Sequence, residues 1–271
     1  MKILAFWDIY GRIGRRAFLE EFPRIKADFD ADFTIVNIDN ITSGRGPIEK
    51  HAKAILDAWV DVVTGWDHIV DNMKNVWKYL DDPDSKLLRP DNMGWVWEFA
   101  IPGVWHKVFE KNWKQVLVIH LIGHAFIDKI NSSNAFIRAD EILDLYKDQT
   151  LHAVIVDFHK EATAEIQGLA HYLDGRISAI FGTHTHVQTN DDLILPQWTG
   201  MLWDAGMSGP LYSVIWAEFS SVKKMFLSWV FKWKIEQSLD ENYLVNGVLF
   251  DIDDTGKCCN IEIIKRIGKL I

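Results

Sequence analysis

MKILAFWDIYGRIGRRAFLEEFPRIKADFDADFTIVNIDN, residues 1–40, is the stretch on which the fold turns. Residues 2–6 read as a buried strand, Gly11 and Gly14 mark a turn, and residues 15–29 space their apolar side chains as a helix does. A second run rich in β-branched residues follows at 32–37, then a helical stretch at 49–58 and a third strand at 60–64. This βαβαβ rhythm predicts a parallel sheet flanked by helices. Outward from it come a strand pair at 106–111 and 115–122, a strand at 153–157, a helix at 161–172 and a strand at 177–181. A short strand at 193–195, a helix at 214–228 and closing strands at 242–252 and 260–264 complete the pattern. Residues 81–104 read as irregular, a lid or an insertion. With no Ser/Gly/Pro linker, repeat or low-complexity tract, the economical reading is a single α/β domain over residues 1–271.

Composition narrows the function. The 271 residues carry 29 Lys+Arg against 38 Asp+Glu, a net charge of −9, which excludes a broad nucleic-acid-binding surface. A hydrophobic share of 48% supports a real core and excludes a disordered chain. No apolar run reaches the roughly 20 residues of a membrane helix, and a carboxylate at Asp8 comes too early for a signal peptide. The cysteines, Cys258 and Cys259, are adjacent and poorly placed to join distant segments, which points to a reducing, cytoplasmic setting. One count is unusual: 13 Trp against 6 Tyr.

The polar residues that carry chemistry fall at strand ends. Asp8 follows the first strand, Asp39 and Asn40 the second, Asp67 and His68 the third; Asp157-Phe158-His159 and Gly182-Thr183-His184-Thr185-His186 end later ones. Open α/β sheets bind ligands beyond the carboxyl ends of their strands, so these loops converge on one rim. Taken singly, each residue has an ordinary reading: Asp8, Asp39 and Asn40 as turn formers, a lone histidine as a hydrogen-bonded side chain. Their joint occurrence on successive strand ends favours a site. His184 and His186, two apart in an extended segment, project to one side. Mixed oxygen and imidazole donors suit Mn, Fe or Zn, and six or seven of them exceed one four-coordinate ion, which suggests a two-metal centre. A mononuclear zinc hydrolase leaves several of them without a role.

Asp8 with Gly11 and Gly14, Asn37-Ile38-Asp39-Asn40, Asp67-His68, Asp157-Phe158-His159-Lys160-Glu161-Ala162-Thr163, Gly182-Thr183-His184-Thr185-His186-Val187-Gln188-Thr189 and Asp204-Ala205-Gly206-Met207-Ser208-Gly209-Pro210 resemble the YmdB-like metallophosphoesterases of the calcineurin-like superfamily. The resemblance runs from residue 1 to about residue 264. It implies a four-layer α/β/β/α sandwich of the metallo-dependent phosphatase type and two divalent metal ions, iron or manganese with zinc as the alternative. It also implies hydrolysis of phosphodiesters, 2′,3′- or 3′,5′-cyclic nucleotides above all, by a metal-activated hydroxide. Carried over by motif position, the metal ligands are Asp8, Asp39, Asn40, Asp67, His159, His184 and His186, with His68 as the catalytic acid or transition-state stabiliser beside the phosphate. A diester repels hydroxide, and a chain at −9 has little basic charge to offset that, so the cations must come mainly from metals. Arg15, Arg16, Arg45 and Arg89 read equally well as phosphate contacts or solvated side chains. The partner implied is a small phosphodiester or nucleotide, with no membrane involved; a homo-oligomer stays open. Two further readings are a phosphomonoesterase on the same centre and a catalytically impaired regulatory or RNA-associated homologue.

The chain departs from the family pattern in two ways. Asp39 stands where the family usually has Glu and Asp67 where it has Asn; the extra carboxylate should tighten metal binding and lower Lewis acidity. Family glycines also coincide with Trp7, Trp59, Trp66, Trp105, Trp113, Trp198, Trp216 and Trp229. Asn112-Trp113 shows the same anomaly without reference to any family, because a two-residue hairpin turn calls for positive φ, normally Asn-Gly. The expectation is that UGA codons meaning glycine stand here as tryptophan, the alternative being an aromatic-rich homologue. Trp77, Trp95, Trp97, Trp203 and Trp233 carry no such assignment.

Overall fold

A computed structural model describes residues 1–94, 103–127, 131–228 and 234–271. Strand β1 (Lys2–Phe6) is followed by helix α1 (Gly11–Phe29), and β2 (Phe33–Asn37) returns parallel to β1 with Ile3 opposite Phe33. Helix α2 (Glu49–Leu56) leads to β3 (Val62–Thr64), parallel to β2. A 3₁₀ turn (Asp67–Val70) and α3 (Met73–Leu80) lead to β4 (Leu87–Leu88), parallel to β3. On α1, Ile13, the adjacent Ala17 and Phe18, Phe22 and Ile25 recur at helical spacing and bury one stripe against Leu4, Phe6, Val36 and Val63. The helix begins four residues before the sequence expectation, so Gly11 and Gly14 lie in its first turn and not in a loop. The reason is tertiary. A Cβ on Gly14 would stand 2.2 Å from the Ser208 carbonyl oxygen, and only glycine lets the helix pass that close.

The second sheet starts with the hairpin β5 (His106–Lys111) and β6 (Lys114–Ile122), turning through Asn112 and Trp113 at φ of 51° and 63°. Asn134 caps α4 (Ala135–Leu145) by accepting from the Phe136 and Ile137 amides, and β7 (Ala153–His159) lies parallel to β6. Helix α5 (Thr163–Leu173) leads to β8 (Ala179–Thr183), parallel to β7; then come β9 (Leu193–Ile194) and β10 (Gly200–Leu202), the latter parallel to β8. The chain returns to the first sheet as β11 (Ser208–Pro210). After α6 (Phe219–Ser228) it supplies β12 (Asn242–Ile252) and β13 (Cys258–Lys269). The orders are β11-β12-β1-β2-β3-β4, with β13 on β12, and β5-β6-β7-β8-β10-β9.

Three apolar clusters hold these parts. One joins the first sheet to α1, α2 and α3; another joins the second sheet to α4 and α5. The third draws Ile3, Ala5, Trp7, Ile35 and Val62 from one sheet and Val118, Ile155, Ala179 and Phe181 from the other. Burying a side chain such as Phe181 contributes about 1.5–3 kcal/mol, so the contact between sheets is a principal source of cohesion.

Some boundaries differ from the sequence reading. Strand β7 runs on to His159, so Asp157 lies inside the strand and His159 ends it. Helix α6 begins at Phe219 instead of 214, because Val214 and Ala217 exchange backbone hydrogen bonds in a tight turn. Strand β13 extends well beyond 260–264, being paired along its length with β12. Within 81–104 the described residues include β4 and a bridge from Leu88 to Val104; the lid expectation otherwise falls on 95–102, outside the described residues.

Candidate metal centre

The expected donors meet in three groups. In the first, Asp8 stands just beyond β1, fully buried; Asn40 Nδ2 donates to its Oδ1 at 2.7 Å, and His186 Nε2 lies 3.2 Å from its Oδ2. His186 Nδ1 is 3.1 Å from the Ile215 carbonyl, an acceptor only, so that nitrogen carries a hydrogen. In neutral His186 the bare lone pair of Nε2 would then face the Asp8 carboxylate. A proton or a cation must lie between them. Burial pushes the Asp8 carboxyl up, but the charge and hydrogen bonds of His186 and the Asn40 amide outweigh it and hold it below its usual value. Burial works against His186 in turn, and Asp8 together with the Ile215 carbonyl raises it.

The second group is Asp39, Asp67 and His68, whose donor atoms lie within 4.8 Å of one another. Asp39 Oδ1 accepts the Trp66 amide at 2.7 Å and Oδ2 the His68 amide at 3.3 Å, so this carboxylate also shapes the loop after β3. His68 Nδ1 sits 2.6 Å from Asp71 Oδ2, with Nε2 3.8 Å from Asp67 Oδ1. Gly46 backs the loop: a Cβ there would meet the His68 carbonyl oxygen at 2.0 Å.

The third group comes from the second sheet. His159 Nε2 and His184 Nδ1 are 2.8 Å apart, Thr183 Oγ1 holds His159 Nδ1 at 2.8 Å, and His184 Nε2 pairs with Glu161 at 2.8 Å. Burial, reinforced by His184, His120, Lys160 and His186, pushes His159 well below the ordinary histidine value and keeps it neutral, the form that ligates metal. Burial also lowers His184, against the pull of Glu161 and Asp8. Asp8, His184 and His186 have φ of 32°, 114° and 64°. Backbone strain at three expected ligands is the kind a functional site retains.

Asn40, Asp67, His68, His184 and His186 line one cavity of about 1100 Å³, together with Tyr10, Trp66 and Arg45. Asp8, Asp39 and His159 lie beneath it, fully buried. All eight expected residues are therefore brought together. Of the four arginines, Arg45 alone lines the cavity among the described residues; Arg15 donates to Ile41, Arg16 to Ile271 and Arg89 to Pro90. Trp66 intrudes on the donor set, its ring centroid 2.9 Å from that of His159.

Three supporting residues had no role assigned from sequence. Asp204 Oδ2 accepts the Thr185 amide at 3.0 Å and its hydroxyl at 2.8 Å, while Oδ1 accepts the Gly206 amide, which pins the loop between His184 and His186. Lys160 Nζ lies 3.5 Å from the same carboxylate, both side chains fully buried. Glu161 orients His184. Beneath them His120 and Asp157 form a fully buried pair at 3.0 Å, one from β6 and one from β7. The signal for Asp204 was present in the sequence as a carboxylate in an otherwise apolar run, but nothing local tied it to Thr185.

The sequence profile of YmdB-like proteins matches residues 4–264. The chain belongs to the YmdB-like family. It is 34% identical over 264 residues to the 2',3'-cyclic-nucleotide 2'-phosphodiesterase of Bacillus subtilis (strain 168), spanning 97% of this chain and 96% of that one. A crystal structure of a novel phosphatase from Mycoplasma pneumoniae superposes with a TM-score of 0.89 at 29% identity, over 99% of this chain and 94% of that one. Haemophilus influenzae NAD nucleotidase, at 12% identity and a TM-score of 0.59 over 99% of this chain and 56% of that one, shares the fold alone. The mixed α/β architecture with two sheets is thus shared with both of these solved structures.

Proposed function

We propose that this chain is a di-metal phosphodiesterase acting on small phosphodiesters, with 2′,3′-cyclic nucleotides as the first choice and 3′,5′-cyclic nucleotides as the second. The coarse class, an enzyme that hydrolyses phosphoric esters, is that of its relatives. The two sheets, the clusters on their outer faces and the cluster between them support a single-domain, four-layer α/β/β/α sandwich. The observation that carries the functional reading is His186 Nε2 facing Asp8 at 3.2 Å, an arrangement that calls for positive charge between them.

Asp8, Asp39, Asn40, Asp67, His159, His184 and His186 are the residues that would hold two cations; their mixed donors suit Mn, Fe or Zn, and the family resemblance puts iron or manganese ahead of zinc. When bound, such ions neutralise a diester's charge and supply an activated water. The protein's own part is to position. Asp204 and Glu161 fix the two imidazoles of the loop after β8, and Ile215 fixes the tautomer of His186. His68, with Nδ1 on Asp71, lines the cavity, and in its imidazolium form it would give the Nε2 proton to the departing oxygen and be left neutral. The cavity is large enough for a nucleotide. No helix among the described residues is long and apolar enough to cross a membrane, and the free Cys258 and Cys259 fit a reducing, cytoplasmic setting.

Metal analysis and turnover of bis-p-nitrophenyl phosphate, run on this chain and on W66G, test the reading. Two metals per chain with diester turnover by either protein support it. Turnover of p-nitrophenyl phosphate alone moves the assignment to a phosphomonoesterase, and two metal-free, inert proteins to a non-catalytic homologue.

A further inference from the structure

Tryptophan is among the residues least suited to positive φ, yet Trp59, Trp113, Trp198 and Trp216 have φ of 70°, 63°, 74° and 121°. Each sits where a turn needs that conformation. Trp59 follows α2 and donates its amide to the Leu56 carbonyl, the place where helices stop on a glycine. Trp113 is the second residue of the two-residue hairpin turn between β5 and β6. Trp198 closes a tight turn onto Leu195 at 2.8 Å, and Trp216 follows Ile215, itself at φ 51°. The first three leave 81%, 89% and 50% of their surface in solvent. Little packing therefore offsets the strain.

Trp66 joins them on different grounds. Its φ of −132° and ψ of −108° lie outside the regions open to L-residues with a side chain. Its ring centroid is 2.9 Å from that of His159, against the 4.5–7 Å of ordinary aromatic pairs. Its indole also lies 5.2 Å from the His184 ring and 6.0 Å from that of His68. The indole thus fills the space among three members of the proposed metal centre.

We infer that the working form of this enzyme carries glycine, encoded by UGA, at positions 59, 66, 113, 198 and 216. UGA is read as tryptophan in some genetic codes and can be assigned to glycine in others, so one change of reading accounts for all five. Separate mutations to the bulkiest residue at five glycine-demanding positions would each add strain. The backbone does not make the same demand everywhere. Trp7 packs its edge on Phe181 at 4.5 Å and Trp105 lies under the Arg89 guanidinium at 4.1 Å, neither at positive φ. Trp229 lies outside the described residues. For position 66 alone, the functional consequence rests on the proposed metal centre; the turn positions stand without it.

The gene's codons, and peptide mass spectrometry of the protein isolated from its own cells, give the direct test. UGA codons with glycine in the peptides are expected; UGG codons, or tryptophan in those peptides, overturn the inference. In the full chain, the combined W59G, W113G, W198G and W216G variant should melt several degrees higher, and an unchanged or lower melting temperature also counts against it. W66G should take up Mn(II), read by metal analysis after gel filtration, where this chain takes up less. Glycine at position 66 in native peptides, together with no uptake by W66G, would sink the metal-centre reading and leave the glycine assignment standing.

Discussion

The two sheets contribute opposite chemistry to one rim. The loops of the first deliver Asp8, Asp39, Asn40, Asp67 and His68, mostly oxygen donors; the ends of β7 and β8 deliver His159, His184 and His186, all imidazoles. They are also held differently. The oxygen donors are fixed largely by backbone and by one another, as when Asp39 accepts two amides and Asn40 bridges to Asp8. The imidazoles rest on added side chains, Thr183, Glu161 and Asp204. Bringing the two halves together depends on the apolar cluster between the sheets.

The sharpest way to break this comparison is to remove one donor from each half. In the W66G background, D8A and H186A should each lower diester turnover by at least about 100-fold, and the double variant should be little worse than either. Losses that multiply would mean that the two halves act separately. Next in size, F181A in the cluster between the sheets should cost about 3–5 kcal/mol in denaturant unfolding, in one transition seen alike from both sheets. Two separate transitions would show that the halves fold independently. Smaller again, D204N should lower turnover by about 10- to 100-fold with metal still bound, because the Thr185 contacts weaken without any donor being removed; an unchanged rate would deny the clamp its role.

The smallest effect is a pH dependence away from the centre. Burial, with Arg15 and Lys50 nearby, pushes His51 down to about 4. The unfolded chain takes up that proton near pH 6.5 and the folded chain does not, so stability should fall as pH drops from about 6.5 to about 4 and change no further from this group below that. H51Q should flatten that part of the curve, measured as melting temperature against pH.

Much of this was legible in the sequence, for identifiable reasons. Asp8, Asp39, Asn40, Asp67 and His68 could be placed together because the parallel strands β1, β2 and β3 share one polarity and deliver their following residues to one edge. The positive φ of Trp113 followed from the length of its hairpin turn. What escaped depended on contacts far along the chain. The start of α1 is set by Gly14 against Ser208, and the role of Asp204 by Thr185, whose loop it braces only once β8 and β10 lie side by side. The buried pair of His120 and Asp157 was hidden because the sequence reading ended the strand at Asp157, whereas β7 runs on to His159 and holds Asp157 against His120 of β6.

Strand β1 sits between β2 and β12, and β12 is not made until residues 242–252. During synthesis the first strand therefore waits with one edge bare until residues 242–252 have left the ribosome. So long a delay between a strand and its neighbour makes assembly slow and exposes an adhesive edge meanwhile. A nascent chain arrested before residue 242 should bind chaperones or self-associate, and one arrested after β13 has emerged should not.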